Sequence, residues 1–166
     1  EVTPFVLNTL KKNNVKATFF CLGKQIEKHP EILQRIKAEG HTIGNHSFSH
    51  INGFTTFTKE YLKDIEKCEN IIPETKLFRP PFGNIYPWQI SKLKKDFKII
   101  MWDVIAWDFD KNTSKEKCFL NVVTNVENGS IILLHDNKKA QENLKYALPK
   151  IIATLKERAF TFSTTW

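Results

Sequence analysis

Short continuous apolar runs alternate along this chain with longer stretches in which apolar residues recur every three or four positions. The first period predicts buried strands and the second amphipathic helices. Thr3-Pro4 reads as an N-cap followed by proline at the first helical position, with Val6, Leu7 and Leu10 on one face and Asn13-Asn14 as the stop. Val15–Cys21 (VKATFFC) reads as a strand closed by Gly23. A helix opens at Pro30, turns Ile32, Leu33 and Ile36 inward and ends at Gly40, and residues 40–44 form a short buried strand. Thr58 opens a longer helix whose Tyr61, Ile65, Cys68 and Ile72 make one stripe.

The same alternation continues to the end. Leu77-Phe78 is a short strand, Pro87 begins a helix that buries Ile90 and Leu93, and Lys98–Trp102 (KIIMW) is a strand. Thr113 and Glu116 have the spacing of a capping box for a helix that buries Phe119, Val122, Val123 and Val126 and stops at Gly129. Ser130–Leu134 (SIILL) is the most continuous strand. The last helix carries Leu144, Leu148, Ile151, Ile152 and Leu155, with a bend or restart expected at Pro149, and Phe160 and Phe162 alternate in a closing strand.

Strand–helix alternation implies a parallel sheet with helices outside it. About six strands follow the first helix, and one more before Glu1 would make seven. The expected fold is an irregular (β/α) barrel with its first strand missing here, or else a doubly wound open sheet, in one domain over residues 1–166. No G-x-G-x-x-G follows a strand, so a dinucleotide site is unsupported.

Composition narrows this little. The 166 residues are 41% hydrophobic, with 13 phenylalanines and four tryptophans, enough for a core. No run approaches the roughly 18 apolar residues of a membrane span. The net charge of +7 is spread through the helices. No pattern of a nucleic-acid module accompanies it; a solvated basic surface or attraction to an acidic polymer such as a bacterial wall accounts for it. Three separated cysteines, Cys21, Cys68 and Cys118, read as buried small hydrophobes rather than a disulfide framework.

Candidate chemistry lies at the strand ends. His46 and His50, in the run HSFSH, are four residues apart, on one side of any helical turn, where both can reach one cation. Arg79, Asp108, and His135 with Asp136 follow later strands, and in a barrel such positions face one opening. Each has a plain alternative: the histidines as surface residues, Arg79 as a loop brace, Asp108 and Asp110 as caps of the helix near Ser114, and His135 as a core residue bonded to a backbone carbonyl.

In sequence order, VKATFFCLG, HSFSH, RPPFG, WDVIAWDF and ILLHD resemble the polysaccharide deacetylases, the NodB-homology domain enzymes of carbohydrate esterase family 4. The resemblance covers nearly the whole chain and implies the NodB-type barrel. It implies a divalent metal, zinc first and cobalt, nickel or manganese as alternatives, held by His46 and His50 with an aspartate. It assigns His135 as general acid, Asp108 as the carboxylate that orients it, and Arg79 as the residue that orients the base. Phe82 would supply a backbone N–H to the oxyanion, where the family usually has tyrosine, and Phe109 with Leu133 an apolar pocket for the acetyl methyl.

The expected activity is hydrolysis of N-acetyl groups from an N-acetylated glycan, such as peptidoglycan or chitin oligomers. The alternatives are an inactive glycan-binding relative or an O-acetyl esterase on the same site. Relatives acting on the wall imply the cell envelope or secretion. The family's first motif, TFDDGP, with the general base and the third metal ligand, is expected upstream of Glu1; a degenerate relative would lack it. Two histidines without that aspartate predict weak metal binding and negligible turnover. Ile105 and Trp107 stand where more polar residues are usual, which bears on substrate preference.

Overall fold

The computed structural model describes residues 2–164, and the chain forms two compact units, Glu1–Ala17 with Trp102–Trp166 and Thr18–Met101. Both are α/β, and every strand pairing in them is parallel.

In the unit Thr18–Met101, four strands stand in the order β1 (Thr18–Cys21), β2 (Thr42–Asn45), β3 (Leu77–Phe78) and β4 (Lys98–Ile99). Spatial order follows chain order because each connection returns through a helix, the usual route between parallel neighbours. Those helices are α2 (Gly23–Lys28), α3 (Pro30–Ala38), α4 (Thr58–Glu69) and α5 (Pro87–Leu93). The stripe on α4 is as expected: Tyr61, Ile65 and Cys68 are fully buried, and Ile72 beyond the helix is too. They divide between two apolar clusters, one with Ile26, Leu33 and Phe48, the other with Phe78, Leu93 and Phe97. Burying one such side chain stabilises the fold by about 1.5–3 kcal/mol.

In the other unit, β5 (Val104–Ile105) pairs with β6 (Ile132–Leu133). The helices are α1 (Val2–Lys12), α6 (Lys115–Val123) and α7 (Gln141–Glu157), with α7 packed on α6 and α1. Pro149 lies inside α7, which runs through it as one helix. An interior proline costs about 3 kcal/mol. Leu144, Leu148, Ile151, Ile152 and Leu155 are all buried on this helix, and at about 1.5–3 kcal/mol each they outweigh it.

Several expected boundaries are corrected by tertiary hydrogen bonds. Val15 returns its N–H to the Leu10 carbonyl, so the first strand begins at Thr18 rather than residue 15. Gly23 does not simply close that strand but opens α2, a helix absent from the periodicity. Thr3 is inside α1, not its cap, and donates its hydroxyl to Asp136. Strand 98–102 stops at Ile99 because the Arg79 side chain takes the carbonyls of Ile100 and Met101. Asp103 accepts from Ile131 N–H, which shortens strand 130–134 to Ile132–Leu133.

The remaining corrections have local causes. Ser114, not Thr113, caps α6, accepting from Lys117 N–H, while Thr113 donates to Asp110. Ile90 is 36% exposed; α5 buries Gln89 and Leu93 instead. Phe160 and Phe162 form no strand: Ala159 turns left-handed, Phe160 N–H returns to Leu155, and both rings pack on the α6–α7 core. Val104–Ile105, beyond the strand expected at 98–102, form a strand of their own.

Candidate functional site

The HSFSH run leaves the end of β2, whose Asn45 pairs with Cys21 of β1 and Phe78 of β3. His46 continues the ladder by one bond, its N–H to the Cys21 carbonyl at 3.0 Å. No helical turn follows, so it is not a helix that sets the two imidazoles side by side. Ser47 and His50 adopt left-handed φ of 65° and 60°, and the chain folds back on itself. Such φ values are unfavourable for residues with a Cβ, and side chains around the turn compensate.

Those compensating bonds account for the N–H groups of Ser47, Phe48, Ser49 and His50. Fully buried Asn45 accepts from Ser47 N–H at 2.8 Å and donates to the Ile65 carbonyl at 3.0 Å. Asp64 on α4 accepts from both Phe48 and Ser49 N–H through one oxygen, each at 2.9 Å. Ser47 Oγ accepts from His50 N–H at 3.0 Å. The carbonyls of Ser47 and Phe48 in turn receive the N–H groups of Gly23 and Lys24 at the start of α2. A helix that the periodicity did not reveal thus holds the loop from the other side.

The two rings come to 5.1 Å between centroids, inclined at 67°. His46 Nδ1 lies 2.6 Å from the Arg79 carbonyl oxygen, which can only accept. Nδ1 therefore carries the proton in the neutral ring, and the lone pair is on Nε2. This is the second-partner arrangement usual for a metal-binding histidine, so the donor set fits a divalent cation. It amounts to two nitrogen ligands: among the described residues no group of three or more His, Cys, Asp and Glu side chains gathers for a metal.

Arg79 is deeply buried, with its guanidinium over the Phe20 ring at 4.1 Å and donating to Ile100 and Met101 carbonyls at 3.0 and 2.9 Å. Burial brings its pKa down to about 10, so it is still a cation at neutral pH. A Cβ on Gly44 would come too close to the Phe20 ring for contact, which favours glycine at that strand position. Phe82 follows in a tight turn with φ of 60°, its ring 60% exposed and edge-on to His50 at 4.6 Å.

The other unit carries the second cluster. Asp108 is fully buried beyond β5, and its two oxygens accept from His135 N–H at 2.6 Å and from His135 Nδ1 at 2.8 Å. An ionised carboxylate only accepts, so Nδ1 bears the proton. A buried carboxylate needs such partners, and one residue supplies both. The imidazole remains 31% exposed. Phe109 packs edge-on against it at 4.7 Å, while Leu133 is buried in β6. Asp110 accepts from Asn112 and Thr113 in the next turn rather than capping α6, and Asp136 takes the Thr3 hydroxyl.

Two contributors escaped the sequence. Asp64 stands beside the α4 stripe as an ordinary surface acid would, and only its place next to buried Ile65 hints otherwise. Asn143 bridges the Asp108 and Thr113 carbonyls from the first turn of α7, with no pattern to reveal it.

The family model described as polysaccharide deacetylase matches residues 1–99. A Bacillus cereus peptidoglycan-N-acetylglucosamine deacetylase is 40% identical over 171 residues, 99% of this chain and 62% of that relative. The chain thus spans less than two thirds of that relative's length. A solved peptidoglycan N-acetylglucosamine deacetylase in complex with a benzamide has a TM-score of 0.92 at 39% identity, covering 98% of this chain and 79% of the other. A family 4 pseudoenzyme from Bacillus anthracis has a TM-score of 0.86 at 27% identity, covering 97% and 58%. The expected NodB-type α/β fold is the one these solved structures share with the chain.

Proposed function

The chain belongs to the polysaccharide deacetylase family, and on that premise we propose that it is a metal-dependent hydrolase that removes N-acetyl groups from an N-acetylated glycan of the cell envelope. The observation that carries the proposal is the pair of oriented imidazoles, His46 fixed by the Arg79 carbonyl and His135 fixed by Asp108.

His46 and His50 are the residues that would hold a divalent cation, zinc first. Bound there, such a cation supplies a Lewis acid and a water whose pKa falls to about 7 in favourable zinc sites. Arg79 is a positioning residue: its main chain orients His46, and its side chain braces the end of β4. His135, its Nδ1 proton held by Asp108, would as the imidazolium give its Nε2 proton to the departing amine and be left as the neutral ring, and Asp108 is the counter-charge of that imidazolium. Phe82 N–H is assigned to the developing oxyanion, and Phe109 with Leu133 to the acetyl methyl.

Acetate release from N-acetylglucosamine oligomers and from peptidoglycan tests this on the full-length protein with added zinc. His46→Ala and His135→Ala are each expected to abolish release, and unchanged rates in both would sink the assignment. The likeness to a pseudoenzyme favours one second reading, a glycan-binding domain without catalysis. Retained binding of the oligomers with no acetate release from the unmutated protein would select it. Release from acetylated xylan but not from N-acetylglucosamine oligomers would mark an O-acetyl esterase instead.

A further inference from the structure

Within the unit Thr18–Met101, the segment after the histidine pair and the segment after β3 meet in successive rungs. His50 meets Phe82, Asn84 Nδ2 donates to Asn52 Oδ1 at 3.2 Å, and Phe54 meets Tyr86 at 4.7 Å between centroids. Tyr86 then stacks on Trp88 at 4.2 Å and 12°, and Trp88 Nε1 donates to Thr58 Oγ1 at 3.1 Å. Fully buried Gln89 ties the segments together, accepting from Tyr86 N–H at 2.9 Å and donating to the Gly53 carbonyl at 3.0 Å. A Cβ at Gly53 would strike the Asn84 carbonyl, so the close approach requires glycine.

The row is rigid and yet open to solvent. Trp88 is 54% exposed although Tyr86 covers one face of its indole, and Phe54 is 47% exposed at the other end of the stack. Packing alone would bury such rings; an indole held by a stack and a hydrogen bond with its outer face in water is preorganised for a ligand. The neighbours are amides and a hydroxyl, from Asn52, Asn84 and Thr58, rather than aliphatic side chains. An aromatic face beside amide and hydroxyl groups suits a pyranose ring, which has a C–H face and a polar rim. The row also begins at His50, one of the two histidines assigned to the cation.

We infer that this row is a glycan track, in which the open face of Trp88 takes a sugar of an N-acetylated chain away from the sugar being deacetylated. This rests on the proposed function for its substrate. The test is calorimetric titration with the dimer and the tetramer of N-acetylglucosamine, paired with acetate-release kinetics. Trp88→Ala should lower the preference for tetramer over dimer about tenfold, as expected for one lost stacking contact, and raise KM for the tetramer more than it lowers kcat. Trp88→Phe, which keeps a ring, should retain most of that preference and controls for folding. An unaltered preference in Trp88→Ala overturns the inference, as does equal weakening of both oligomers or a change in self-association alone. If tetramer binding depends on Trp88 but the unmutated protein releases no acetate, the track stands and the hydrolase reading fails. If it releases acetate and Trp88→Ala leaves the preference intact, only the track fails.

Discussion

The two clusters of candidate residues solve one problem, holding an imidazole by one nitrogen, with different materials. Around His46 and His50 the structure is mostly backbone: a left-handed loop whose N–H groups are absorbed by Asn45, Ser47 and Asp64 and whose carbonyls cap α2. Around His135 it is a single buried side chain, Asp108, making two short bonds to one residue. Support that is spread over several elements loses a part with each substitution. Support concentrated in one buried charge fails at once, because its partners are left unsatisfied in a place water cannot reach.

The largest effect should come from Asp108→Asn. The amide presents an N–H to one of two groups that already donate, so either the His135 main chain or its Nδ1–H loses an acceptor. Loss of about 3 kcal/mol in denaturant unfolding is expected. Acetate release should fall about a hundred- to ten-thousandfold, the usual range for a general acid. Full activity with a normal unfolding midpoint would mean that Asp108 neither orients nor stabilises His135.

Asp64→Ala tests the dispersed side. Ser49 N–H loses its acceptor and Phe48 N–H keeps only the Asp64 main-chain carbonyl at 3.1 Å, at a cost of about 1–3 kcal/mol. Zinc affinity, measured by competition with a chromophoric chelator, should weaken about tenfold. Asp64→Asn keeps an acceptor oxygen and should lie close to the unmutated protein. Equal affinity in all three would show that the loop supports itself, and the contrast between the two clusters would weaken.

The smallest expected effect is alkaline. Burial, and then the nearby Asp108 charge, push the Cys118 thiol up to about 12 from an ordinary 9. Its folded pKa is raised, so its contribution to stability is whole below pH 9 and drains away as pH rises towards 12. Melting temperature followed across that window should decline less steeply in Cys118→Ala, after allowing for the small cavity that this change leaves. An identical slope would remove Cys118 from the account.

Much of this was legible because it depends on local pattern. The α4 stripe lies where the periodicity placed it, the strand expected at 40–44 is displaced only to Thr42–Asn45, and His46, Arg79 and His135 do follow strands. Misplaced features share a cause: their hydrogen-bond partners are distant in sequence. Strand 98–102 is cut short by the side chain of Arg79, and Thr3 spends its hydroxyl on Asp136, 133 residues away. Phe160 and Phe162 alternate as a strand would, but their apolar faces find a helical core rather than a neighbouring strand.

HSFSH shows the division most sharply. By itself the sequence determined which atoms are present: two imidazoles four residues apart after an apolar strand, in an order of motifs that names the family. The helical turn on which that spacing would align the rings is not the conformation adopted, because spacing constrains reach and not conformation. Tertiary structure alone decided how the rings meet, by setting Asp64 of one helix and the start of another against a loop whose left-handed residues would otherwise be unfavourable. Those bonds join residues up to some tens of positions apart, and only a folded chain brings them within hydrogen-bonding distance.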